Sequence, residues 1–165
     1  MLEFVLCEKD DDLQLAAALA DEIWHEHFPG IITLAQTDYM VGKFQSFESM
    51  KEQVANESCS YYLIIADGEA AGYFAIAPKP DGTLFLSKLY LRREQRGKHY
   101  STEAFRFICE KAREQKLKSV WLTVNKNNDT AINAYKAFGM TVSKTQQTDI
   151  GEGFIMDDYV FEKKL

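Results

Sequence analysis

Apolar and polar positions change period several times along the chain, and each change predicts an element. Residues 2–7 alternate as a strand does. Leu13, Ala16, Ala17, Ala20, Ile23, Trp24, His27 and Phe28 then recur at helical spacing. Asp10, Asp11 and Asp12 supply N-cap and first-turn acids for that helix, and Pro29-Gly30 stops it. Residues 31–58 are less regular, and two short helices near 34–44 and 47–56 fit them. From Ser60 the period shortens: SYYLIIA (60–66) and AAGYFAIA (70–77) flank a turn at Asp67-Gly68-Glu69. A second turn over Pro78–Gly82 leads into a third strand, TLFLSKLYL (83–91).

A polar loop, Arg92 to Gly97, precedes a helix from about His99 to Gln115. Its apolar face is Ala104, Phe105, Ile108, Cys109 and Ala112. SVWLTV (119–124) is a strand, Asn128 or Asp129 caps a helix to Phe138, and Gly139 suits the residue after it. Strands near 140–149 and 153–163 finish the chain. The order is β-α-α-β-β-β-α-β-α-β-β. This predicts a mixed α/β (α+β) fold, a mostly antiparallel sheet flanked by helices, in one domain over residues 1–165. The helix joining strands 83–91 and 119–124 makes these two parallel if they pair.

At 165 residues, with 46% apolar and 27% charged side chains, the chain has the make-up of one soluble globular domain. No apolar run reaches the ~20 residues of a membrane span. The first ten residues lack the basic start of a secretory signal, which points to the cytoplasm. Cys7, Cys59 and Cys109 are scattered, as buried hydrophobes of a reducing compartment are. A net charge of −6 speaks against nucleic acid as the main partner. It suits a cationic substrate, and equally suits mere solubility. His25-Glu26-His27 invites a metal reading, but histidines two apart point to different helix faces, so no metal is expected.

The segment Leu89-Tyr90-Leu91-Arg92-Arg93-Glu94-Gln95-Arg96-Gly97-Lys98-His99-Tyr100-Ser101 runs from a strand end through a basic turn into a helix start. A helix start offers free N–H groups and a partial positive charge, hence an anion site, to which Arg96 and Lys98 add formal charge. Arg96-Gly97-Lys98-His99-Tyr100-Ser101 resembles the pyrophosphate-loop pattern Arg/Gln-x-x-Gly-x-Gly/Ala of the GNAT superfamily of N-acetyltransferases. Asn128, Ala131, Tyr135, Lys136 and Phe138-Gly139 resemble that family's downstream pattern, one helix and one strand further on. Two linked motifs at this separation are more specific than either alone. The chain departs from the pattern at His99, where the family prefers Gly, and at Ser101, where it prefers Gly or Ala.

The resemblance implies an acetyl-CoA-dependent enzyme acetylating an amine by direct attack on the thioester. It assigns the cofactor arm to the backbone of Leu89, Tyr90 and Leu91, with Asn128 and Lys136 beside it. It assigns the pyrophosphate to Arg96, Gly97, Lys98, His99, Tyr100 and Ser101, and the role of general acid to Tyr135. If the backbone of His99 stays helical, its imidazole is placed to donate to a phosphate oxygen. The general base is left open, because strand 84–89 holds no acid; Glu22, His25, Glu26, His27, Asp38 and a water chain are the alternatives. IWHEHF (23–28) and the tail from Thr145 resemble the PaiA-like branch that acetylates polyamines, with Asp149, Glu152, Asp157 and Asp158 available to a polycation. Other small amines, peptide acceptors and an acyl-CoA sensor with little turnover remain open. By analogy, the last two strands offer edges for a homodimer.

Overall fold

Short polar side chains set the helix starts in the computed structural model, which describes residues 1–165. Strand β1 spans Leu2–Leu6 and helix α1 Asp10–His27. Lys9 is the residue before α1, so the three aspartates lie within its first turn, and Asp12 accepts from the Lys9 amide at 3.4 Å. Residues 31–58 hold two helices, each with its own cap. Thr33 starts α2 (Leu34–Phe44) by accepting from the Gln36 amide, and Ser46 starts α3 (Phe47–Asn56) by accepting from the Ser49 amide. The order written from sequence is therefore one helix short. The strands that follow are β2 (Ser60–Ala66), β3 (Glu69–Pro78) and β4 (Thr83–Leu91).

A single 3-10 turn, Arg93–Gln95, interrupts the loop before α4 (Tyr100–Glu114). The remaining elements are β5 (Ser119–Asn125), α5 (Asp129–Ala137), β6 (Thr141–Gly151) and β7 (Phe154–Lys164). They form one seven-stranded sheet of order β1-β2-β3-β4-β5-β7-β6, antiparallel except between β4 and β5. β7 lies inside the sheet, so of the last two strands only β6 offers a free edge, a correction to the pairing expected of both. No helix is long and apolar enough to cross a membrane.

Each face of the sheet carries its own core. Helices α4 and α5 cover one, centred on Phe74, Leu84, Ile108, Val120 and Phe161. Helices α1 to α3 cover the other, centred on Ile23, Trp24, Met50, Tyr61 and Tyr73. A bulge in β4 governs which β4 side chains face which layer. Lys88 pairs with Ala75 and Leu86 with Ile76, leaving Ser87 as the extra residue, so the alternation changes phase there. Leu84 and Leu86 before it and Leu91 after it join the α4 core, whereas Lys88 and Tyr90 turn toward α1 to α3. Close strand contact also explains Gly72: a Cβ there would lie 2.1 Å from the Tyr90 carbonyl oxygen.

Candidate functional site

β4 and β5 pair only over Thr83–Phe85 and Ser119–Trp121. Beyond that point they diverge, and the backbone edge of β4 from Leu86 to Leu91 has no strand partner on the β5 side. A cavity of about 430 Å³ opens in the gap and reaches both faces of the sheet. Of the residues singled out from sequence, Leu89, Tyr90, Leu91, Arg96, Ser101, Asn128 and Tyr135 line it. Gly97, Lys98, His99 and Tyr100 form the adjoining turn and the start of α4 without lining it. Lys136 is exposed and also stands outside it.

The loop at the cavity's mouth is fastened to α1. Arg92 donates to Glu22 at 3.0 Å, Arg93 donates to the Glu26 carbonyl oxygen at 3.1 Å, and Arg96 Nε donates to the Leu91 carbonyl oxygen at 3.2 Å. Burial and neighbouring Arg93 hold the Arg96 guanidinium below its usual range. Gly97 has φ +78°, and His99 has φ +64°, ψ +17°. The expected helical backbone at His99 is therefore wrong: a left-handed residue cannot extend a right-handed helix, so α4 begins at Tyr100. This also gives the physical reason a glycine suits position 99. No side chain caps α4, in contrast to α2, α3 and α5, so its first-turn amides stay open to an anion.

Asn128 is buried and uses its Oδ1 twice, capping α5 through the Ala131 amide at 3.4 Å and accepting from His27 Nε2 at 3.1 Å. Burial, then Arg96, hold the His27 imidazole below its ordinary value, which suits a neutral ring donating from Nε2. Tyr135 packs edge-on against Phe138, with ring centres 6.1 Å apart. Burial pushes its phenol up to about 12. Of the base candidates, His27 alone lines the cavity. Glu22 is engaged by Arg92, and His25 bonds Asp38 at 2.6 Å. No group of three or more metal-type ligands is assembled.

Two further cavity residues carry chemistry: Lys88, which sequence reasoning did not single out, and Asp158, which it offered only as one of four acids for a polycation. Lys88, 7% exposed, donates to the Phe44 carbonyl oxygen at 2.7 Å, to Gln53 Oε1 at 3.0 Å and to the Tyr61 hydroxyl. Burial lowers it to about 8. Asp158, 2% exposed, lines the cavity on β7 opposite Asn125 of β5, and its Oδ2 has no hydrogen-bond partner. Burial first, then neighbouring Asp157, raises its carboxyl to about 6. In sequence Asp158 is one of several acids in a hairpin; only the β5–β7 register places it at the gap.

The sequence model of the Acetyltransferase (GNAT) family matches residues 16–140, and the chain belongs to that family. An uncharacterized N-acetyltransferase from Lactobacillus delbrueckii subsp. lactis is 30% identical over 97 residues, which span 54% of this chain and 56% of that protein. The fold is shared with the PaiA N-acetyltransferase from Thermoplasma acidophilum, solved in complex with coenzyme A. That likeness has a TM-score of 0.82 at 19% identity over 100% of this chain and 99% of the other. A GCN5-related N-acetyltransferase from Rhodopseudomonas palustris superposes with a TM-score of 0.82 at 12% identity, over 99% and 95% of the two chains.

Proposed function

We propose that this chain is an acetyl-CoA-dependent N-acetyltransferase whose acceptor is the primary amine of a small molecule. The observation that carries the reading is continuity: an uncapped helix start, an unpaired strand edge and a phenol without a hydrogen-bond partner follow one another along a single cavity. Acetyl-CoA supplies the activated acyl group when bound, and the protein's groups hold and polarise it. The first-turn amides of α4, Tyr100 and Ser101 among them, receive the pyrophosphate together with Arg96 and the Gly97-Lys98-His99 turn. The β4 edge over Leu89, Tyr90 and Leu91 pairs with the amide-bearing arm as an added strand would. Asn128 keeps its amide N–H groups for that arm, because its oxygen is already used. Lys136, on the exposed face of α5, has no part in this assignment.

A phenol as weakly acidic as Tyr135 stays protonated at neutral pH and is a standing donor to the departing thiolate. Replacing Tyr135 by Phe removes that donor while keeping the ring. The expected result is a kcat about 100-fold lower with coenzyme A affinity within about twofold of the parent. Thiol release across spermidine, simple monoamines, amino sugars and short peptides, run with both proteins, reads this. Turnover unchanged in Tyr135→Phe would remove the tyrosine from the chemistry. Failure of the parent to bind coenzyme A would remove the whole reading.

The acids of the tail are engaged separately. Asp149 turns back to the Gly151 amide at 2.9 Å, Glu152 is exposed in the hairpin turn, and Asp157 pairs with Lys126 at 2.8 Å. Asp158 is the one tail acid that lines the cavity.

A further inference from the structure

We infer that Asp158 receives the acceptor's ammonium group and takes its proton, in a chamber shaped for a singly charged amine on an apolar body. The inference rests on the acetyl-transfer reading of the same cavity and names the group and the substrate class which that reading leaves open. Three observations carry it. Asp158 is almost wholly buried yet makes no side-chain hydrogen bond, and a buried carboxylate with an orphan oxygen awaits a donor. It lies opposite Asn125 at the end of β5, beyond the point where β4 and β5 part, and lines the same cavity as Tyr135. The α1–α3 side of the chamber is walled by Phe28, Ile32, Met40, Phe44 and Met156, with no second buried acid.

The charges facing Asp158 decide the substrate class. On its own edge, Asp157 is neutralised by Lys126. From β4, Tyr90 presents a buried phenol and Lys88 a cation whose three protons are already donated to protein oxygens. α2 contributes Gln36, Met40 and Phe44 to the cavity, none of them charged. Lys79 follows β3, Glu57 lies exposed after α3, His27 is neutral on α1, and Arg96 occupies the loop side. Exposed Glu57 apart, a second or third ammonium would therefore meet lysines and apolar side chains, and its desolvation inside the chamber would go uncompensated.

The step balances without an added reagent. The ammonium gives one proton to the Asp158 carboxylate, which passes it to solvent. The nitrogen lone pair forms the C–N bond at the thioester carbonyl carbon. The C–S bond breaks with its electron pair on sulfur, and Tyr135 protonates that sulfur. The nitrogen sheds its second proton, which restores the Tyr135 phenol through solvent. The products are an amide, a thiol and one released proton.

The test is thiol release from acetyl-CoA with tyramine and spermidine as probes, against pH, in the parent, Asp158→Asn and Asp158→Glu. The parent should favour tyramine at least tenfold in kcat/KM, with a plateau between about pH 6 and the amine's own pKa near 10. Asp158→Asn should lose the break near pH 6, rise tenfold per pH unit toward pH 10, and stand about 100-fold lower at pH 7.5. Asp158→Glu should restore the break. A carboxyl-carbon NMR titration, assigned by difference against Asp158→Asn, should show a midpoint near 6 that falls when tyramine binds. Spermidine preferred over tyramine, or tyramine not turned over, overturns the substrate class. A break that survives in Asp158→Asn, activity within threefold of the parent, or an NMR midpoint near 4 overturns the role of Asp158. Calorimetry with coenzyme A separates these results from failure of the underlying reading, in which the parent would not bind it.

Discussion

The two ends of the cavity are built by different means. The loop end is one contiguous run, Leu89 to Ser101, and what it offers an anion is mainly backbone: open amides at the start of α4 and a turn set by positive φ at Gly97 and His99. The acceptor end is assembled from side chains far apart in sequence. Lys88 reaches Phe44 across 44 residues, and Asp158 arrives from the last strand. A backbone-built site tolerates changed side chains, such as His99 and Ser101 in place of small residues. A side-chain-built site fails when one member of the network goes.

The largest effect expected from that contrast is on stability, at Lys88. Removing it as Lys88→Ala takes one of two donors from the Phe44 carbonyl, leaving only Gln53 Nε2 at 3.1 Å, and opens a void between β4 and α3. A loss of about 3 kcal/mol follows from the lost hydrogen bonds and the cavity together. Lys88→Met refills the volume without restoring the donor, and about half of the loss should return. Chemical denaturation measures both. Coenzyme A affinity should stay within twofold for each folded variant. An affinity that drops in step with stability would show that the two ends are one unit, and the contrast would fail.

The same contrast explains what sequence could and could not reveal. The Arg96–Ser101 and Asn128–Gly139 runs are legible as local structure, a turn and two helix starts that a short pattern encodes. β4 and β5 were recognised as neighbours, and their brief parallel pairing and divergence agree with it. The bulge at Ser87 was not legible, although it sends Lys88 toward α1–α3. Asp158 was read only as a tail acid, since nothing in DDY distinguishes the aspartate paired with Lys126 from the one facing the gap. Of the base candidates of α1 and α2, His27 lines the cavity, while Glu22 and the Glu26 carbonyl hold the arginine loop and His25 ties α1 to Asp38, contacts that no local pattern encodes.

Asp158 sharpens the contrast from the side of stability. Its carboxyl is raised from 3.8 to about 6, so the folded state binds that proton more tightly than the unfolded chain does. The resulting penalty is absent below about pH 4, grows as pH rises to about 6, and is constant above that. Asp158→Asn should therefore be more stable than the parent at pH 8, by up to about 3 kcal/mol, and indistinguishable from it at pH 4. Denaturation curves at the two pH values read this. A destabilised Asp158→Asn at pH 8 would mean that the carboxylate holds the fold together and is not held ready for a ligand.

The smallest effect lies at the loop end, where His99 occupies the left-handed region at φ +64° directly before α4. A residue with a Cβ pays about 1–2 kcal/mol for that backbone, and glycine escapes the strain while losing about 0.5–1 kcal/mol through the freedom of its unfolded chain. His99→Gly should therefore gain about 0.5–1 kcal/mol in chemical denaturation. Coenzyme A affinity should hold or tighten, because the amides of α4 remain where they are and a ring leaves their neighbourhood. Affinity lost by tenfold or more would mean that the imidazole itself grips the ligand. The loop end would then depend on a side chain as the acceptor end does, and the division between backbone-built and side-chain-built ends would dissolve.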